Sequence, residues 1–416
     1  MTRRPPSPGR LQSTAIDCNR LQSASPGRCG FQKPRPFQTC PARRAHRQLF
    51  TFHFSLFTLL FALLALFPAT APAGHFDITV DPFYNDTLLR GSFGGSPVYF
   101  FLGPSPTMEK AVISFIDASE KTLDACLFDL DMPSFTQAFI GAHKRGVKVR
   151  VLLDKDNAAK AYAVADDLKQ MEQLGILQLV HNRSGLMHNK FMVADGVRVW
   201  TGSYNLTRNG SVYNDNHAIV LESPDLAENY TKEWEEIAEG RHGKRFAWPT
   251  PHPEVRIGNT AIQNYFPPED DARGAIKNLI DSATNEVVVL AFSFTDATLV
   301  EALGAAVKRG IRVLMVLDTG MSRQAAARTR QLRELGVNVR LSPGILLHHK
   351  VVVADRQTVV LGSANFSSGG FDHNDENVLV IQAPHFARAM IQEALRCWRA
   401  EPYSVTKWRT QIPNTP

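Results

Sequence analysis

The chain carries one eighteen-residue pattern twice, and this internal repeat constrains the fold more than any other feature of the sequence. Residues 188–205 read HNKFMVADGVRVWTGSYN, and residues 348–365 read HHKVVVADRQTVVLGSAN. Both fit H-x-K-x4-D-x6-G-S-x-N, with every matched position separated by the same interval (348 − 188 = 160). The matched pairs are His188/His348, Lys190/Lys350, Asp195/Asp355, Gly202/Gly362, Ser203/Ser363 and Asn205/Asn365. Chance does not reproduce six specified positions twice in register, so the chain contains a duplication.

The repeat continues outside this motif, and the whole body of the chain is therefore duplicated. HKRGVKVRVLLD, which ends at Asp154, matches VKRGIRVLMVLD, which ends at Asp318. Further matches pair 122–130 with 286–294 and 213–221 with 373–381. A repeat of this kind indicates two structurally equivalent units. The predicted segments are a leader (1–74), a first half (97–240), a linker (241–261) read as an extended connector, a second half (262–400) and a C-terminal tail (401–416).

Each half alternates amphipathic stretches with short apolar runs, which is typical of a layered α/β fold. In the first half the predicted helices are 107–119, 134–145, 158–174 and 225–239, and the predicted strands are 122–130, 147–153, 190–194, 197–201 and 217–222. The second half repeats this order, with helices at 271–284, 297–309 and 322–335 and a closing helix from about 385. Duplicated halves normally pack around a pseudo-two-fold axis, by the logic of a symmetric dimer. We therefore expect two α/β/α halves whose motifs face each other in one shared cleft.

The leader differs in composition from the duplicated body. It is rich in Pro, Arg and Ser, and a basic cluster precedes the apolar run LFTLLFALLALF at 56–67. Ala-Pro-Ala follows at 71–73 and provides a cleavage signal before Gly74. This pattern predicts a signal peptide behind a disordered start, and hence a secreted or envelope protein. The alternative is a membrane anchor formed by 49–67, which is about long enough to span a bilayer.

The net charge of +6 is carried by the leader rather than the body. The chain has 46 Lys and Arg against 40 Asp and Glu, but ten of the basic residues lie in 1–74, where Asp17 is the only acid. The rest of the chain therefore holds 36 basic and 39 acidic residues, and it is mildly acidic. This balance does not favour a broad electrostatic surface for nucleic acid, although a local basic groove remains compatible with it.

The repeated motif contains the groups that cleavage of a phosphodiester requires. Such a reaction needs a nucleophile on phosphorus, a proton donor for the leaving oxygen, and donors to the non-bridging oxygens. Because imidazole titrates near neutral pH, His188 and His348 can supply the first two functions. Lysine and asparagine side chains can hold phosphoryl oxygens, and the motif offers two of each. The predicted phosphoryl-binding residues are Lys190, Lys350, Asn205 and Asn365.

The remaining motif residues are interpreted as supporting ones. A tight backbone at Gly202 and Gly362 lets the small hydroxyl that follows approach the site. Those hydroxyls belong to Ser203 and Ser363, which we include among the candidate catalytic residues. Asp195 and Asp355 close a strand before a turn, so we interpret them as structural rather than as bases.

This motif resembles that of the phospholipase D superfamily, which includes phospholipases, cardiolipin synthases and nucleases. The resemblance covers nearly the whole body, from 97 to 400, and both copies of the motif are complete. It implies a metal-independent, two-step reaction through a phosphohistidine. It also implies that His188 is the nucleophile and His348 the general acid, although the near-equivalence of the halves leaves an exchange of roles open.

The two halves depart from each other at one informative position. Members of the superfamily often carry an acidic residue eleven positions after the motif asparagine, where it orients a histidine. This position is Glu376 in the second half and Asn216 in the first. A carboxylate stabilises an imidazolium more than an amide does, so the two histidines should differ in pKa. If the pairing crosses the pseudo-two-fold axis, Glu376 orients His188; the sequence leaves the pairing open.

The resemblance does not fix the substrate. The leading hypothesis is an exported enzyme that hydrolyses phospholipid head-group phosphodiesters at a membrane surface. The alternatives are an exported nuclease, which the compact halves favour, and a cardiolipin synthase-like phosphatidyltransferase, which would need the anchor. We expect a monomer, because both halves lie in one chain. No cofactor or metal is expected, since the body holds only Cys126 and Cys397 and no zinc-ligand cluster.

A few residues near the motifs are assigned minor roles. Trp200 is expected in the core and Tyr204 in the wall of the cleft, whereas His349 is interpreted as a filler at a variable position of the motif. Three other histidines lack a matched partner and are expected to be structural or solvated: His181, His217 and His373.

Overall fold

The computed structural model describes residues 76–81, 86–182, 185–244, 247–343 and 345–400. The predicted signal peptide or anchor and the C-terminal tail lie outside the described residues. Within those described ranges, no helix combines the length and the apolar character needed to cross a membrane.

The first half is built on a mixed sheet of nine strands. In chain order these are β1 (Phe76–Asp81), β2 (Asp86–Phe93), β3 (Ser96–Leu102), β4 (Thr122–Leu127), β5 (Lys148–Asp154), β6 (Leu177–Val180), β7 (Lys190–Ala194) and β8 (Arg198–Gly202), then, after the separate two-residue β9 (Asn214–Asp215), β10 (His217–Glu222). The helices are α1 (Pro106–Asp117), α2 (Pro133–Lys144), α3 (Lys155–Ala158), α4 (Ala165–Gln173), α5 (Arg208–Val212) and α6 (Pro224–Ala238). Across the sheet the order is β1-β2-β3-β10-β8-β7-β4-β5-β6.

The second half is built on a sheet of eight strands. These are β11 (Glu254–Ile257), β12 (Thr260–Tyr265), β13 (Glu286–Ala291), β14 (Arg312–Leu317) and β15 (Asn338–Leu341), then, after the separate β16 (Leu346–Leu347), β17 (Lys350–Ala354), β18 (Thr358–Gly362) and β19 (Val378–Gln382). The helices are α7 (Ala272–Ser282), α8 (Ala297–Lys308), α9 (Thr329–Glu334) and α10 (Pro384–Arg399). Seven strands have the same order in both halves, since β3-β10-β8-β7-β4-β5-β6 corresponds to β12-β19-β18-β17-β13-β14-β15. The predicted α/β duplication is confirmed.

The central strands and the long helices follow from local sequence. The strand β13 reads EVVVLA and β17 reads KVVVA, and both are buried at every position, as β-branched runs are when a sheet is covered on both faces. The helix α6 begins where the side chain of Ser223 accepts a hydrogen bond from the backbone of Leu226, with Pro224 in the first turn. Asp296 caps α8 in the same way.

Three apolar clusters hold the layers together. The helices α1, α2 and α4 pack on the outer face of the first sheet, and α7, α8 and α9 pack on the outer face of the second. The inner faces of both sheets share a third cluster with α6 and α10. Aromatic contacts cross this shared core, including Phe100 with Phe386 at 4.9 Å and Tyr230 with Phe266 at 5.1 Å between ring centroids. The halves therefore form one body, because burial of this inner surface drives their association.

Short backbone pairings also join the two halves next to the motifs. The two-residue strands β9 and β16 pair in parallel, which places Leu347 opposite Asp215. The equivalent bridge on the other side places Met187 opposite Asp375. Each pairing joins the residue before a motif histidine to the opposite half, so the predicted shared cleft is confirmed.

The structure differs from the sequence predictions in four places. The strands β1 and β2 extend the first sheet before residue 97. The linker contains β11, whose buried Val255 and Ile257 alternate with exposed residues, as an edge strand requires. The helix predicted at 158–174 is divided, because Asp154 caps a separate short helix directly at the end of β5. The helix predicted at 322–335 shrinks to α9, since residues 322–328 bury no side chain that would stabilise an earlier start.

Candidate active site

The motif histidines lie at the seam between the halves because their backbones are held from both sides. The amide of His188 donates to the carbonyl of Asp375 at 3.0 Å, and the amide of His348 donates to the carbonyl of Asp215 at 2.8 Å. Each histidine is thus attached to its own strand on one side and to the opposite half on the other. The two side chains are nearly buried, with 5% and 7% of their surface exposed.

The motif glycines permit a close approach of two strands. A Cβ atom on Gly202 would lie 2.4 Å from the carbonyl oxygen of His217, and one on Gly362 would lie 2.1 Å from that of Asn377. Both distances are far below a van der Waals contact, so only glycine fits at these positions. The glycines therefore allow β8 and β18 to approach the neighbouring strands closely, directly before Ser203 and Ser363.

A buried carboxylate from the second half holds His188. Nδ1 of His188 lies 2.8 Å from both carboxylate oxygens of Glu376. The same carboxylate accepts hydrogen bonds from Ser363 Oγ at 2.6 Å and from Asn374 Nδ2 at 3.1 Å. A carboxylate only accepts, so Nδ1 of His188 carries the proton and Nε2 keeps a lone pair in the neutral ring. The pairing therefore crosses the pseudo-two-fold axis, which is the arrangement the sequence left open.

An amide from the first half occupies the equivalent position next to His348. Nδ1 of His348 lies 2.9 Å from Oδ1 of Asn216 and 3.0 Å from the backbone carbonyl of Ser203. The hydroxyl of Ser203 donates to the same Oδ1 at 3.0 Å. Both partners of Nδ1 are acceptors, so this ring also carries its proton on Nδ1. The hydroxyls of the two serines thus bind the side chains that hold the histidines rather than the histidines themselves.

Burial lowers the pKa of both histidines, but their partners differ. Burial lowers the pKa of His188 to about 4, with Lys190 and Lys350 acting in the same direction and Glu376 opposing them. Burial and the two lysines lower the pKa of His348 well below the usual value, with no carboxylate among the main opposing influences. Both rings are therefore neutral at pH 7. Burial opposes ionisation of Glu376, but the nearby His188 and Lys190 outweigh it and lower the pKa of that carboxyl group.

The two motif lysines, Lys190 and Lys350, are both buried, so water screens their charges poorly. The ammonium of Lys190 donates to the carbonyl of His188, and that of Lys350 donates to the carbonyl of His348 at 2.8 Å. Burial lowers the pKa of Lys190 to about 8, whereas Glu376 opposes this change. Burial and the charge of Lys190 lower the pKa of Lys350 well below its usual range. A bound anion would relieve the repulsion between these lysines, so the pair favours a phosphoryl group.

Two phenylalanines form equivalent walls next to the histidines. The ring of Phe128 packs edge-on against His188 at 4.6 Å, and the ring of Phe292 packs against His348 at 4.9 Å. The ammonium groups of the motif lysines lie over the same rings, at 4.8 Å and 5.0 Å from the centroids. The sequence analysis missed both residues, although the alignment of 122–130 with 286–294 places them opposite each other. The signal that could have identified them is the presence of phenylalanine at the same position of both internal repeats.

The motif asparagines contribute unpartnered polar atoms. Within the described residues, Oδ1 of Asn205 and Oδ1 of Asn365 are buried without a hydrogen-bond partner. A buried polar atom without a partner is costly, and it typically marks a site completed by a ligand or water. These atoms are acceptors, so they mark polar positions that a donor from a ligand or water would complete. The binding of phosphoryl oxygens by the amide N–H groups stays a prediction.

The motif aspartates form turns away from the histidines. Asp195 accepts backbone hydrogen bonds from 120–122, and Asp355 accepts equivalent bonds from 284–286. Both adopt a left-handed backbone, with φ of 57° and 51°. They tie the β7–β8 and β17–β18 turns to the neighbouring strand, which matches their structural interpretation.

Two assignments made from the sequence are wrong. Tyr204 does not form a cleft wall: it is 1% exposed, and its hydroxyl lies 2.6 Å from Ser211 Oγ in the first-half core. His349 is not a filler, because it is fully buried and lies within hydrogen-bond distance of His217 and Glu393. Trp200 lies in the core as expected, and His181 and His373 are exposed.

One corner of the described structure offers donor atoms that a metal could use, but their chemistry does not fit a cation. His349, Glu393 and Cys397 each place one such atom within 4.8 Å of the others. The guanidinium of Arg396 already occupies the carboxylate of Glu393 at 2.7 Å. Burial and Glu393 raise the pKa of the Cys397 thiol well above its usual value, so it remains a thiol. This corner is instead a neutralised polar cluster behind His348.

The chain was compared with known proteins. The family described as "Cardiolipin synthase, PLD-like domain" matches at residues 112–238 and again at 276–398. A mitochondrial cardiolipin hydrolase of Chlamydomonas reinhardtii is 26% identical over 133 residues, covering 32% of this chain and 58% of that protein. A phospholipase D of Rickettsia felis is 31% identical over 132 residues, covering 32% of this chain and 64% of that protein. The chain thus spans about 60% of the length of these two relatives.

A solved structure extends the comparison to both halves. The phosphatidylserine synthase of Haemophilus influenzae Rd KW20 superimposes with a TM-score of 0.58 at 15% identity, covering 72% of this chain and 86% of that one. This likeness concerns the fold alone. The family match falls once on each half of the duplication, over the elements that carry the two histidine motifs. The chain belongs to the family of phospholipase D-like domains.

Proposed function

We propose that this protein is a phosphodiesterase of the phospholipase D type, which hydrolyses phospholipid head-group phosphodiesters through a phosphohistidine. The contact between His188 Nδ1 and the buried carboxylate of Glu376, at 2.8 Å, carries the proposal. It gives the neutral ring a fixed tautomer whose Nε2 lone pair is available. It also provides a negative charge for the cation that forms when this nitrogen attacks phosphorus.

In the first step, Nε2 of His188 forms a bond to phosphorus as the bond to the leaving alkoxide breaks. His348 donates a proton to that oxygen, and the alcohol departs. The pKa of His348 is lowered, so His348 must gain its proton when substrate binds. The negative phosphate provides the reason, because an opposite charge at short range raises the pKa of an imidazole.

In the second step, water attacks the phosphorus of the phosphohistidine. His348 accepts a proton from this water, and the phosphorus–nitrogen bond breaks to restore neutral His188. The lysines and the asparagine amides hold the non-bridging oxygens in both steps, and so supply the charge stabilisation that a metal ion supplies elsewhere. An alcohol in place of water would give a phosphatidyltransferase by the same chemistry.

Three observations support a lipid as the substrate. Two relatives are named as a cardiolipin hydrolase and a phospholipase D. The duplicated body is mildly acidic, which disfavours a polyanionic polymer. Leu186 and Leu346, each two residues before a motif histidine, are 41% and 39% exposed. Residues two apart in extended backbone lie on the same face, so each leucine lies on the same face as its motif histidine. The two exposed leucines therefore provide an apolar rim to the site, which acyl chains of a lipid could contact.

Export would place the enzyme next to its substrate, and we keep cleavage of the leader near Gly74 as part of the proposal. N-terminal sequencing of the exported protein tests it. A chain that still begins before residue 49 and sediments with membranes would favour the anchor.

The substrate is tested by a parallel assay with excess chelator. The protein is incubated with vesicles of phosphatidylcholine, with vesicles of cardiolipin, and with single-stranded and double-stranded DNA, beside the His188→Ala variant as a blank. We expect release of head group or phosphatidic acid in chelator and negligible cleavage of DNA. Cleavage of DNA without release from either lipid would establish the nuclease alternative, and transfer to added glycerol or phosphatidylglycerol in preference to water would establish the synthase alternative.

A further inference from the structure

A second contact between the halves lies directly behind each catalytic pair. Asn189 follows His188 and Asn377 follows Glu376, and Nδ2 of Asn377 donates to Oδ1 of Asn189 at 2.7 Å. We call Asn189 and Asn377 the amide clamp. It lies on the opposite face of these strands from the catalytic pair, since successive side chains alternate.

Two histidines occupy the positions related to the amide clamp by the pseudo-two-fold axis. His349 follows His348, and His217 follows Asn216; their Nδ1 atoms lie 3.1 Å apart, and their rings stack at 5.4 Å with 12° between the planes. We call His217 and His349 the histidine clamp. Both clamps continue to a glutamate on a long helix: Asn189 donates to Glu233 on α6 at 3.0 Å, and His349 lies 2.9 Å from Glu393 on α10.

The histidine clamp is connected to the groups that hold His348. The amide of His217 donates to Ser203 Oγ at 3.1 Å, and this hydroxyl donates to the amide oxygen of Asn216. Glu393 accepts from Arg396, which also donates to Asp215 at 2.6 Å. The carbonyl of Asp215 in turn accepts the backbone amide of His348. Displacement of the clamp would therefore move His348 and both partners of its Nδ1 together.

We propose that His217 and His349 are positioning residues for His348: their contact across the two halves sets the distance and orientation between His348 and Asn216. This inference rests on the proposed function, in which His348 delivers the proton to the leaving group. The amide clamp performs the same task for His188 and Glu376. The two clamps differ in that an amide pair does not titrate and an imidazole pair does.

The histidine clamp requires one proton between its two Nδ1 atoms. Because Glu393 is a carboxylate, Nε2 of His349 donates to it, and one Nδ1 must donate to the other. Two fully protonated rings would direct two N–H groups at each other. The charged groups around the clamp are Lys350 on β17, Glu393 and Arg396 on α10, and Asp215 on β9.

The surroundings of His217 disfavour its protonation, and this preserves the single proton between the two Nδ1 atoms near neutral pH. Burial lowers the pKa of His217 well below its usual value, and the neighbouring His349 and Lys350 lower it further. A histidine with a lowered folded-state pKa stabilises the fold fully above the unfolded pKa of about 6.5, and this contribution declines as the pH falls below that value. The histidine clamp should therefore weaken on acidification, whereas the amide clamp should not.

Two variants distinguish a role of the histidine clamp in packing from a role in positioning His348. His217→Phe keeps a stacked aromatic ring but removes the contact between nitrogen atoms. The double variant His217→Asn with His349→Asn reproduces the amide clamp behind His348. His181→Asn changes an exposed histidine whose nearest charged partner is Asp156 at 3.9 Å, and it serves as the matched control.

The kinetic readout uses two soluble diesters with different leaving groups. Dibutyryl phosphatidylcholine releases an alcohol that needs a proton from His348, whereas bis(p-nitrophenyl) phosphate releases an anion that does not. For His217→Phe we expect kcat on the choline ester to fall about tenfold with little change in KM, because a misplaced general acid loses part of its effect. The first-turnover burst of p-nitrophenolate should stay within about threefold. The double asparagine variant should recover kcat to within about threefold and lose less activity than the wild type between pH 7 and pH 5.

A structural readout makes the inference independent of the assay. In protein labelled with nitrogen-15 histidine, His217→Phe should shift the Nδ1 signal of His348, and the double asparagine variant should restore it. A folded His217→Phe variant with wild-type kcat, or with equal losses on both diesters, would overturn the inference. So would an unchanged His348 signal. If the wild type cleaves neither diester, the proposed function fails, and the nitrogen-15 signals alone decide whether the clamp positions His348.

Discussion

The two halves of this protein share a strand order and a motif, yet they present their histidines with different chemistry. His188 is held by the carboxylate of Glu376 at 2.8 Å, and His348 is held by the amide of Asn216 at 2.9 Å. The backbone pairing, the serine and the phenylalanine wall are equivalent on both sides. Next to the histidines, the main chemical difference is the side chain that contacts Nδ1, and the proposed division of two roles between identical side chains rests on it.

The division has a physical logic. A nucleophilic histidine becomes a cation when it binds phosphorus, and a permanent carboxylate stabilises that cation. A general acid must release its proton, which a carboxylate partner would oppose and an amide would not. The comparison predicts that substitution of Glu376 and substitution of Asn216 have different effects on the rate and on its pH dependence.

The largest effect is expected from loss of either histidine. His188→Ala and His348→Ala should each reduce kcat/KM by at least about a thousandfold, because both act in the two steps of the proposed mechanism. The double variant should be little worse than either single variant. Circular dichroism and thermal unfolding establish that the variants are folded, and substantial turnover by either single variant would contradict the two-histidine mechanism.

The next effect is expected at Glu376. Glu376→Gln should lower kcat by about a hundredfold, since the cationic intermediate loses its carboxylate. It should also move the acidic limb of the pH–rate profile to lower pH, because Glu376 raises the pKa of His188 in the native site.

Glu233 provides the matched control for this prediction. It is also buried, but burial and neighbouring carboxylates raise its pKa well above the usual value, so its surroundings favour the protonated acid over the carboxylate. A glutamine has nearly the shape of a protonated glutamate. Glu233→Gln should therefore leave kcat within about threefold, and equal losses in the two variants would remove the distinction between them.

A moderate effect is expected when the halves are made alike. Asn216→Asp gives His348 a carboxylate, which should raise its pKa and extend activity towards alkaline pH. We expect kcat at pH 7 to fall about tenfold, because the proton is then held more tightly. A profile identical to that of the wild type would show that the partner of Nδ1 does not tune the acid.

The smallest effect concerns Lys190. Its pKa is lowered to about 8 by burial, so kcat/KM should decline as the pH rises through this value and the ammonium loses its proton. Lys190→Arg, whose charge does not titrate in this range, should retain less activity at pH 7 but lose this alkaline decline. Lys155→Met, at an exposed position, is the control.

The sequence predicted those features that depend on spacing. The motif register identified both histidines, both lysines and both glycines, because a duplication repeats a local geometry at a fixed interval. The strands β7 and β10 were predicted with their observed boundaries for a related reason, since each is a short, buried and mainly apolar run. The turn role of Asp195 followed from its place after a strand.

Several features that the sequence did not predict arise from contacts between the halves. The partner of His188 lies 188 residues away, and spacing alone does not say whether such a pair crosses the axis. The clamps were missed because their residues differ in type, so the repeat did not mark them as equivalent. Tyr204 was placed in the cleft by its neighbours in the chain, but its side chain points into the first-half core.

Mapping of the covalent intermediate tests the central claim of divided roles most directly. The wild-type enzyme is mixed with a phosphorus-32 diester, quenched within the first turnover without acid, digested and sequenced. We predict that the label lies on His188 and that Glu376→Gln slows its appearance. Label shared equally between His188 and His348, or found mainly on His348, would contradict the account that the buried carboxylate selects the nucleophile.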